Sequence, residues 1–313
     1  MSHTRSWTTP GWGRALLAGA AALAVARFVR RAREQRKLRG QVALVTGASR
    51  GLGYLLAEEL ARAGCRLVIC ARGPEQLARA REALARRTQV LAVTCDLSRR
   101  VEVDALITQA VSHFGRIDLL VNNAGIIRLG SIEQTTLEDF HRVMATDFWG
   151  AVHATLAVLP HMRRQRSGRI VNITSIGGKV AVPRLLPYDC AKFASVAFSE
   201  GLRAELARDG ISVTTVIPGL MRTGSERYAV AKTPGDARWF SVAARMPGLT
   251  LAPRRAARKI MAAVRDRRGQ IVVGVQAKLL RLIHDLFPSA TNRMLDLGHR
   301  LLPGGPTSPT TPG

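Results

Sequence analysis

Seven short apolar runs punctuate the chain, at 42–46, 66–71, 89–95, 118–122, 169–174, 211–217 and 271–275, each rich in Val, Ile and Leu. Between them, apolar residues recur at helical spacing over 51–63, 75–87, 101–114, 136–165, 188–208 and 253–267. Strands that alternate with helices in this way predict a Rossmann-like α/β fold: a doubly wound parallel sheet of about seven strands, right-handed crossovers, and helices on both faces. No internal repeat interrupts the pattern. The catalytic domain is expected over 40–275.

Three further segments lie outside that pattern. In 276–302, Leu279, Leu280, Ile283, Leu286 and Phe287 fall near helical spacing between Lys278, Arg281 and His284. This amphipathic extension has three possible resting places: the domain, a partner subunit or a membrane surface. Packing on the domain is the commonest outcome. The tail 303–313 is rich in Pro, Gly, Thr and Ser and is expected to be disordered. Residues 1–39 hold an unbroken run of small and apolar side chains from Ala15 to Ala26, followed by a basic flank (Arg27, Arg30, Arg31, Arg33, Arg36, Lys37, Arg39).

Composition changes this picture little. The formal charge of +25 invites a nucleic-acid reading, but only six of the 47 basic residues are lysine, and the arginines are scattered rather than striped among aromatics. No zinc-finger or RNA-recognition pattern accompanies them, so no nucleic-acid partner is assigned. A basic surface still favours anionic partners, lipid headgroups included. Cys65, Cys70, Cys95 and Cys190 form no C-x-x-C pair, and the histidines show no ligand spacing, so neither a disulfide framework nor a metal site is assigned.

The chemistry concentrates in two places. Val42–Thr46 runs into Gly47-Ala48-Ser49-Arg50-Gly51-Leu52-Gly53 and then a helical pattern, as expected where backbone must approach a pyrophosphate at a helix N-terminus. Further on, Tyr188 and Lys192 lie four residues apart, on one face of a helix, with Ser175 thirteen residues before the tyrosine. An ammonium beside a phenol favours phenolate, so the expectation is a lowered Tyr188 pKa.

Together these motifs resemble the short-chain dehydrogenase/reductase family, firmly over about residues 40–225. The resemblance implies a cofactor loop at Gly47, Ser49, Arg50, Gly51, Leu52 and Gly53. It further implies an adenine contact at Asp96 and Leu97, and the motif that ends the fourth strand at Asn123, Ala124 and Gly125. Pro218, Gly219 and Thr223 match the segment that orients the nicotinamide. Ser175, Tyr188 and Lys192 match the catalytic residues: serine holds the carbonyl oxygen, tyrosine exchanges the proton, and lysine assists the tyrosine and bonds the ribose. Tyr188 and Lys192 therefore belong to both the catalytic and the cofactor-binding sets. The family's usual asparagine is replaced by Asp147, placed with the catalytic residues; its role passes either through the backbone carbonyl or through a carboxylate that pairs with a cation or shifts the pH profile.

Cofactor choice follows from charge. The second strand ends Cys70-Ala71-Arg72 without the acid that would bind a ribose diol and repel a 2′-phosphate, and Arg50 stands in the glycine loop. These features favour NADP (NADPH) over NAD. The expected activity is interconversion of a carbonyl and an alcohol on a lipophilic small molecule; the alternative is an NADP-binding scaffold without turnover. The resemblance also implies a homo-oligomer. For the N-terminus the favoured reading is an uncleaved membrane anchor with the catalytic domain in the cytoplasm; a soluble cytoplasmic protein, a cleaved signal peptide and a mitochondrial presequence are the alternatives.

Overall fold

The apolar runs become strands in the order expected. The computed structural model describes residues 38–224, 227–246 and 250–300. The expectations for residues 1–37 and for 303–313 lie outside these. In chain order the elements are β1 (Val42–Thr46), α1 (Gly51–Arg62), β2 (Arg66–Ala71), α2 (Pro74–Ala85), β3 (Val90–Thr94), α3 (Arg100–Phe114) and β4 (Leu119–Asn122). There follow β5 (Arg128–Leu129), α4 (Leu137–Val143), α5 (Gly150–Arg164), β6 (Gly168–Ile173), α6 (Leu186–Glu205), β7 (Ile211–Pro218) and β8 (Val230–Ala231). The described chain closes with α7 (Pro234–Arg245), α8 (Pro253–Arg265), β9 (Gln270–Val273), α9 (Val275–Leu286) and α10 (Pro288–Arg300).

Seven strands form one parallel sheet in the order β3-β2-β1-β4-β6-β7-β9. The order reverses between β1 and β4, and in such sheets ligands bind at that switch point, beyond the carboxyl ends of the strands. Side-chain alternation divides the core in two. Ala43, Val45, Leu67 and Ile69 pack with Leu56, Leu60, Leu77 and Ile260 on one face. Val42, Leu44, Val68 and Cys70 pack with Leu106, Ile107, Val158 and Leu202 on the other. Because both faces are buried, each strand reads as a continuous apolar run. Cys65, Cys70 and Cys95 are free and buried within these layers, and burial pushes the Cys65 thiol up to about 12, which suits a small apolar packing role.

Three departures from the pattern matter. The helix expected over 136–165 is divided by a π-helical turn, Met144–Trp149, which widens the backbone at Asp147. A second, two-stranded parallel sheet pairs β5 with β8, and each strand is too short to show a period. The C-terminal extension forms two helices, and the first of them, with Phe287 after it, leaves Leu279, Leu282, Ile283, Leu286 and Phe287 exposed. The domain holds only part of α9, chiefly through Ala277 against Gly219, so packing on the core does not account for its apolar face.

Candidate active site

Gly47 takes φ +63° and Gly51 φ +58°, the left-handed turns that lead β1 into α1. A Cβ on Gly47 would lie 2.8 Å from the Ala124 Cα, and one on Gly53 would overlap the Gly47 carbonyl oxygen and the Asn123 amide. The loop is therefore pressed against β4 with no room to spare. Arg50 occupies the N-cap of α1 without a side-chain cap, and the first turn holds no acid. Its uncapped N–H groups suit an anion. This cradle, with the glycines that shape it, fits the pyrophosphate of a dinucleotide.

Asn123 does more than border this cradle. Its Nδ2 donates to the carbonyls of Thr46 (3.0 Å) and Gly47 (3.3 Å), while the Asn123 and Ala124 N–H groups donate to the Thr46 hydroxyl at 2.9 and 3.1 Å. The side chain thus braces the loop. Asp96 Oδ1 accepts from the Ser98 N–H and hydroxyl, and the Asp96 N–H donates to Glu102, which fixes the turn after β3.

All the residues expected in the site, from Gly47 through Thr223, line one cavity of about 550 Å³, within the size range of small-molecule sites. Ser49, Arg50, Arg72, Asp96 and Leu97 lie toward one end; Ser175, Tyr188, Lys192 and Asp147 lie toward the other, with Pro218, Gly219 and Thr223 along the β7 side. Tyr188 and Lys192 rise from the start of α6, and the Lys192 Nζ sits 5.3 Å from the centre of the Tyr188 ring. Ser175 hydrogen-bonds the tyrosine and accepts from the Gly177 N–H at 3.1 Å.

Asp147 forms an ion pair with the lysine. Its Oδ2 lies 3.0 Å from Lys192 Nζ, and its Oδ1 accepts from the Ile126 N–H at 2.7 Å. Both side chains are buried. Gly125 permits the approach, since a Cβ there would lie 2.7 Å from Asp147 Oδ2. The Asp147 carbonyl, turned out by the π-helical segment, accepts from the Ser195 hydroxyl at 3.3 Å. Burial would push Lys192 down, but Asp147, aided by Tyr188, holds it above the usual lysine value.

The tyrosine corrects the expectation of a lowered pKa. Burial pushes Tyr188 above the usual value, and Asp147 and Asp189 add to this; Lys192 and the Ser175 hydrogen bond pull down but do not win. Burial of the phenol is the largest of these effects, and Asp147 offsets only part of what the ammonium contributes.

The family model for short chain dehydrogenase matches residues 41–233. The chain belongs to the short chain dehydrogenase family. Its relatives include the dehydrogenase/reductase SDR family protein 7-like of Drosophila melanogaster, 32% identical over 296 residues, which are 90% of this chain and 89% of that protein. The fatty acyl-CoA reductase of Acinetobacter baylyi is 32% identical over 269 residues, 85% of this chain and 86% of its own length. A solved short-chain dehydrogenase from Streptomyces avermitilis matches with a TM-score of 0.70 at 29% identity, covering 84% of this chain and 99% of that one. The protein is accordingly a nicotinamide-dependent oxidoreductase with a small-molecule substrate.

Other site features of this short-chain dehydrogenase carry no sequence motif. Asn122 Nδ2 donates to Thr155 and to Asn172, whose own amide donates to Ser199, so a buried polar chain ties β4, α5, β6 and α6 together beneath the site. Arg184 and Asp236 form a buried ion pair that joins the loop before α6 to α7. Helix α7 brings Trp239, Phe240 and Ala243 to the cavity, opposite Val182, Leu185 and Leu220. Its short period within 224–250 gives a single apolar face but no chemical signature.

Asp189 adds a testable consequence. It is buried next to Tyr188, accepts from the Val182 N–H at 2.7 Å, and burial pushes its pKa up to about 8. A carboxyl raised in the folded state binds its proton more tightly there than in the unfolded chain. Its contribution to stability is therefore full below the unfolded value, near ~4, and is lost as pH rises through about 8. Calorimetry should show Tm falling between pH 5 and 8, and Asp189→Asn should flatten that slope. An unchanged slope in the variant would remove Asp189 as its source.

Proposed function

We propose that the protein is an NADP(H)-dependent carbonyl reductase or alcohol dehydrogenase acting on a lipophilic substrate. The observation that carries this reading is the placement of Ser175, Tyr188 and Lys192 in a cavity whose adjoining wall is apolar, formed by Val182, Leu185, Leu220, Trp239 and Phe240. Bound nicotinamide supplies hydride chemistry at a carbonyl or carbinol carbon. Ser175 holds the carbonyl oxygen by a hydrogen bond. Tyr188 gives that oxygen a proton in reduction and takes it from the alcohol in oxidation. Lys192 orients the tyrosine and bonds the ribose; the cavity wall excludes water and positions the reacting carbon.

The direct experiment is a screen of purified protein with NADPH against ketosteroids, retinal, long-chain aldehydes and quinones. The name of the Acinetobacter relative, a fatty acyl-CoA reductase, supports including long-chain acyl derivatives. Saturable NADPH oxidation with one class is expected; none with any class would count against the reading.

Preference for NADP rests on Arg72 and Arg50. Arg72 follows β2 directly, is exposed and borders the cavity, with no acid at the strand end. Arg50 donates to Gln76 Oε1 at 2.6 Å and stacks on Tyr228 at 3.6 Å, which fixes its guanidinium beside the same end of the cavity. Two guanidinium groups suit a 2′-phosphate. Arg72→Asp should weaken NADPH binding at least about tenfold more than NADH binding, the size of one lost charge-assisted contact. Equal losses for both cofactors, measured by fluorescence titration, would contradict the assignment.

The reading extends to a membrane-anchored homo-oligomer, with residues 1–39 as the anchor and the catalytic domain, 40–275, on the cytoplasmic side. Among the described residues no helix is long and apolar enough to cross a membrane, so the anchor rests on the run from Ala15 to Ala26 and its basic flank. Leu38 is fully buried and its carbonyl accepts from Cys65, so a chain that begins there keeps its core contact. Full-length protein should sediment with membranes and the shortened chain should not. Soluble full-length protein would contradict the anchor.

A further inference from the structure

The pairing of Lys192 with an internal carboxylate has a functional consequence beyond the assignment of Tyr188 as the proton-exchanging group, on which it rests. We propose that Asp147 is a positioning residue that biases this site toward carbonyl reduction: as the buried counter-ion of Lys192, it keeps Tyr188 in its proton-donating form into alkaline pH. Geometry carries the inference. The ammonium lies 3.0 Å from Asp147 Oδ2 and 5.3 Å from the centre of the Tyr188 ring, so a full negative charge sits directly beside the cation that faces the phenol and offsets part of its pull. The carboxylate is fixed on its other side by the Ile126 N–H at 2.7 Å and is pressed by Gly125, so it has no room to turn away. An uncharged side chain at 147 would leave the ammonium with no anion nearer than the phenol itself.

The surrounding charges do not undo this arrangement. Burial pushes the Asp147 carboxyl above its usual range, while Lys192 first, then the Ile126 N–H and Arg72 after β2, pull it back toward the ionised form. Asp189, next to Tyr188 on α6, disfavours phenolate, as Asp147 does, and Ser175, after β6, favours it by a hydrogen bond. Burial and two acidic groups thus oppose phenolate formation, while Lys192 favours it and Asp147 offsets part of the lysine's effect. Reduction needs the phenol, since the substrate oxygen takes its proton; oxidation needs phenolate to accept one. The equilibrium between carbonyl and alcohol stays with the cofactor ratio and pH. What Asp147 sets is the pH at which the oxidative direction acquires its base.

The chain has three tyrosines, Tyr54, Tyr188 and Tyr228. In a Tyr54→Phe, Tyr228→Phe background, tyrosinate absorbance reports Tyr188 alone. Stopped-flow pH jumps take each reading before alkaline unfolding. With Asp147 present, Tyr188 should titrate above free tyrosine, ~10. With Asp147→Asn it should titrate below ~10 and at least about one pH unit lower than before, a tenfold change in the ionisation constant. A role limited to holding the fold would let the site loosen and bring Tyr188 to ~10 but no lower. An unchanged midpoint in the variant, or one that stops at the free value, would overturn the proposal. So would a midpoint below ~9 with Asp147 present, a result that does not depend on how well the variant folds. The titration needs neither cofactor nor substrate, so it decides this point even if the proposed activity fails.

Discussion

Replacing Tyr188 by phenylalanine is expected to lower kcat by about a thousand-fold or more while leaving the cofactor Kd within a few-fold. The magnitude follows from what a positioned proton donor contributes, ~10²–10⁴ in rate, together with the burial of the group that would have to replace it. The phenylalanine ring keeps the van der Waals surface that Tyr188 presents to a small apolar cluster of Leu129, Leu185 and Phe240. Only the hydroxyl is lost. Lys192→Ala should behave differently, damaging both turnover and cofactor binding, and it also leaves the Asp147 carboxylate buried without its cation. Steady-state kinetics and cofactor titration on both variants separate these outcomes, and near-normal turnover in Tyr188→Phe would remove the tyrosine as the acid.

Gly53→Ala is the second change with a large expected effect. The new methyl would overlap the Gly47 carbonyl oxygen and the Asn123 amide, the same groups whose hydrogen bond braces the loop. Gly47 has little room to retreat, because Ala124 stands so near that a Cβ on Gly47 would lie 2.8 Å from the Ala124 Cα. The N-terminus of α1 must therefore move away from β4. Overpacking of this kind costs about 1–3 kcal/mol in stability, and the displaced cradle should weaken cofactor binding at least tenfold. Thermal denaturation with and without NADPH gives both numbers. A variant with unchanged Tm and the same stabilisation by cofactor would mean that the loop tolerates a shift the close contacts do not allow.

Much of this architecture is legible in the chain because buried parallel strands need continuous apolar runs, and each of the seven main strands overlaps such a run. The glycine loop is legible for a related reason: at Gly47 and Gly53 the backbone passes so close to its neighbours that only hydrogen fits. What sequence could not show is where geometry, not composition, decides. Nothing in the apolar spacing of 136–165 distinguishes an unbroken helix from one with a π-helical turn, yet that turn places Asp147 against Lys192. The sign of the Tyr188 shift escapes the sequence because a lysine four residues away is visible there, whereas the burial of the phenol, which outweighs the lysine, and the carboxylate 45 residues before that lysine are not. Likewise Arg184 and Asp236 lie 52 residues apart and meet only because α7 folds back over the cavity. The α9 face shows the limit from the other side: its amphipathic period was plain, but the period says nothing about what covers it.

The measurement that tests the central claim most directly is isotope transfer. Protein is incubated with NADPH deuterated at the reactive nicotinamide C4 position and a saturated long-chain aldehyde such as decanal, and the alcohol is analysed by mass spectrometry. The account predicts deuterium on the carbinol carbon with the wild-type chain and no product above background with Tyr188→Phe. Product formed equally by the variant, or deuterated alcohol absent for decanal and for every other carbonyl class in the screen, would contradict it.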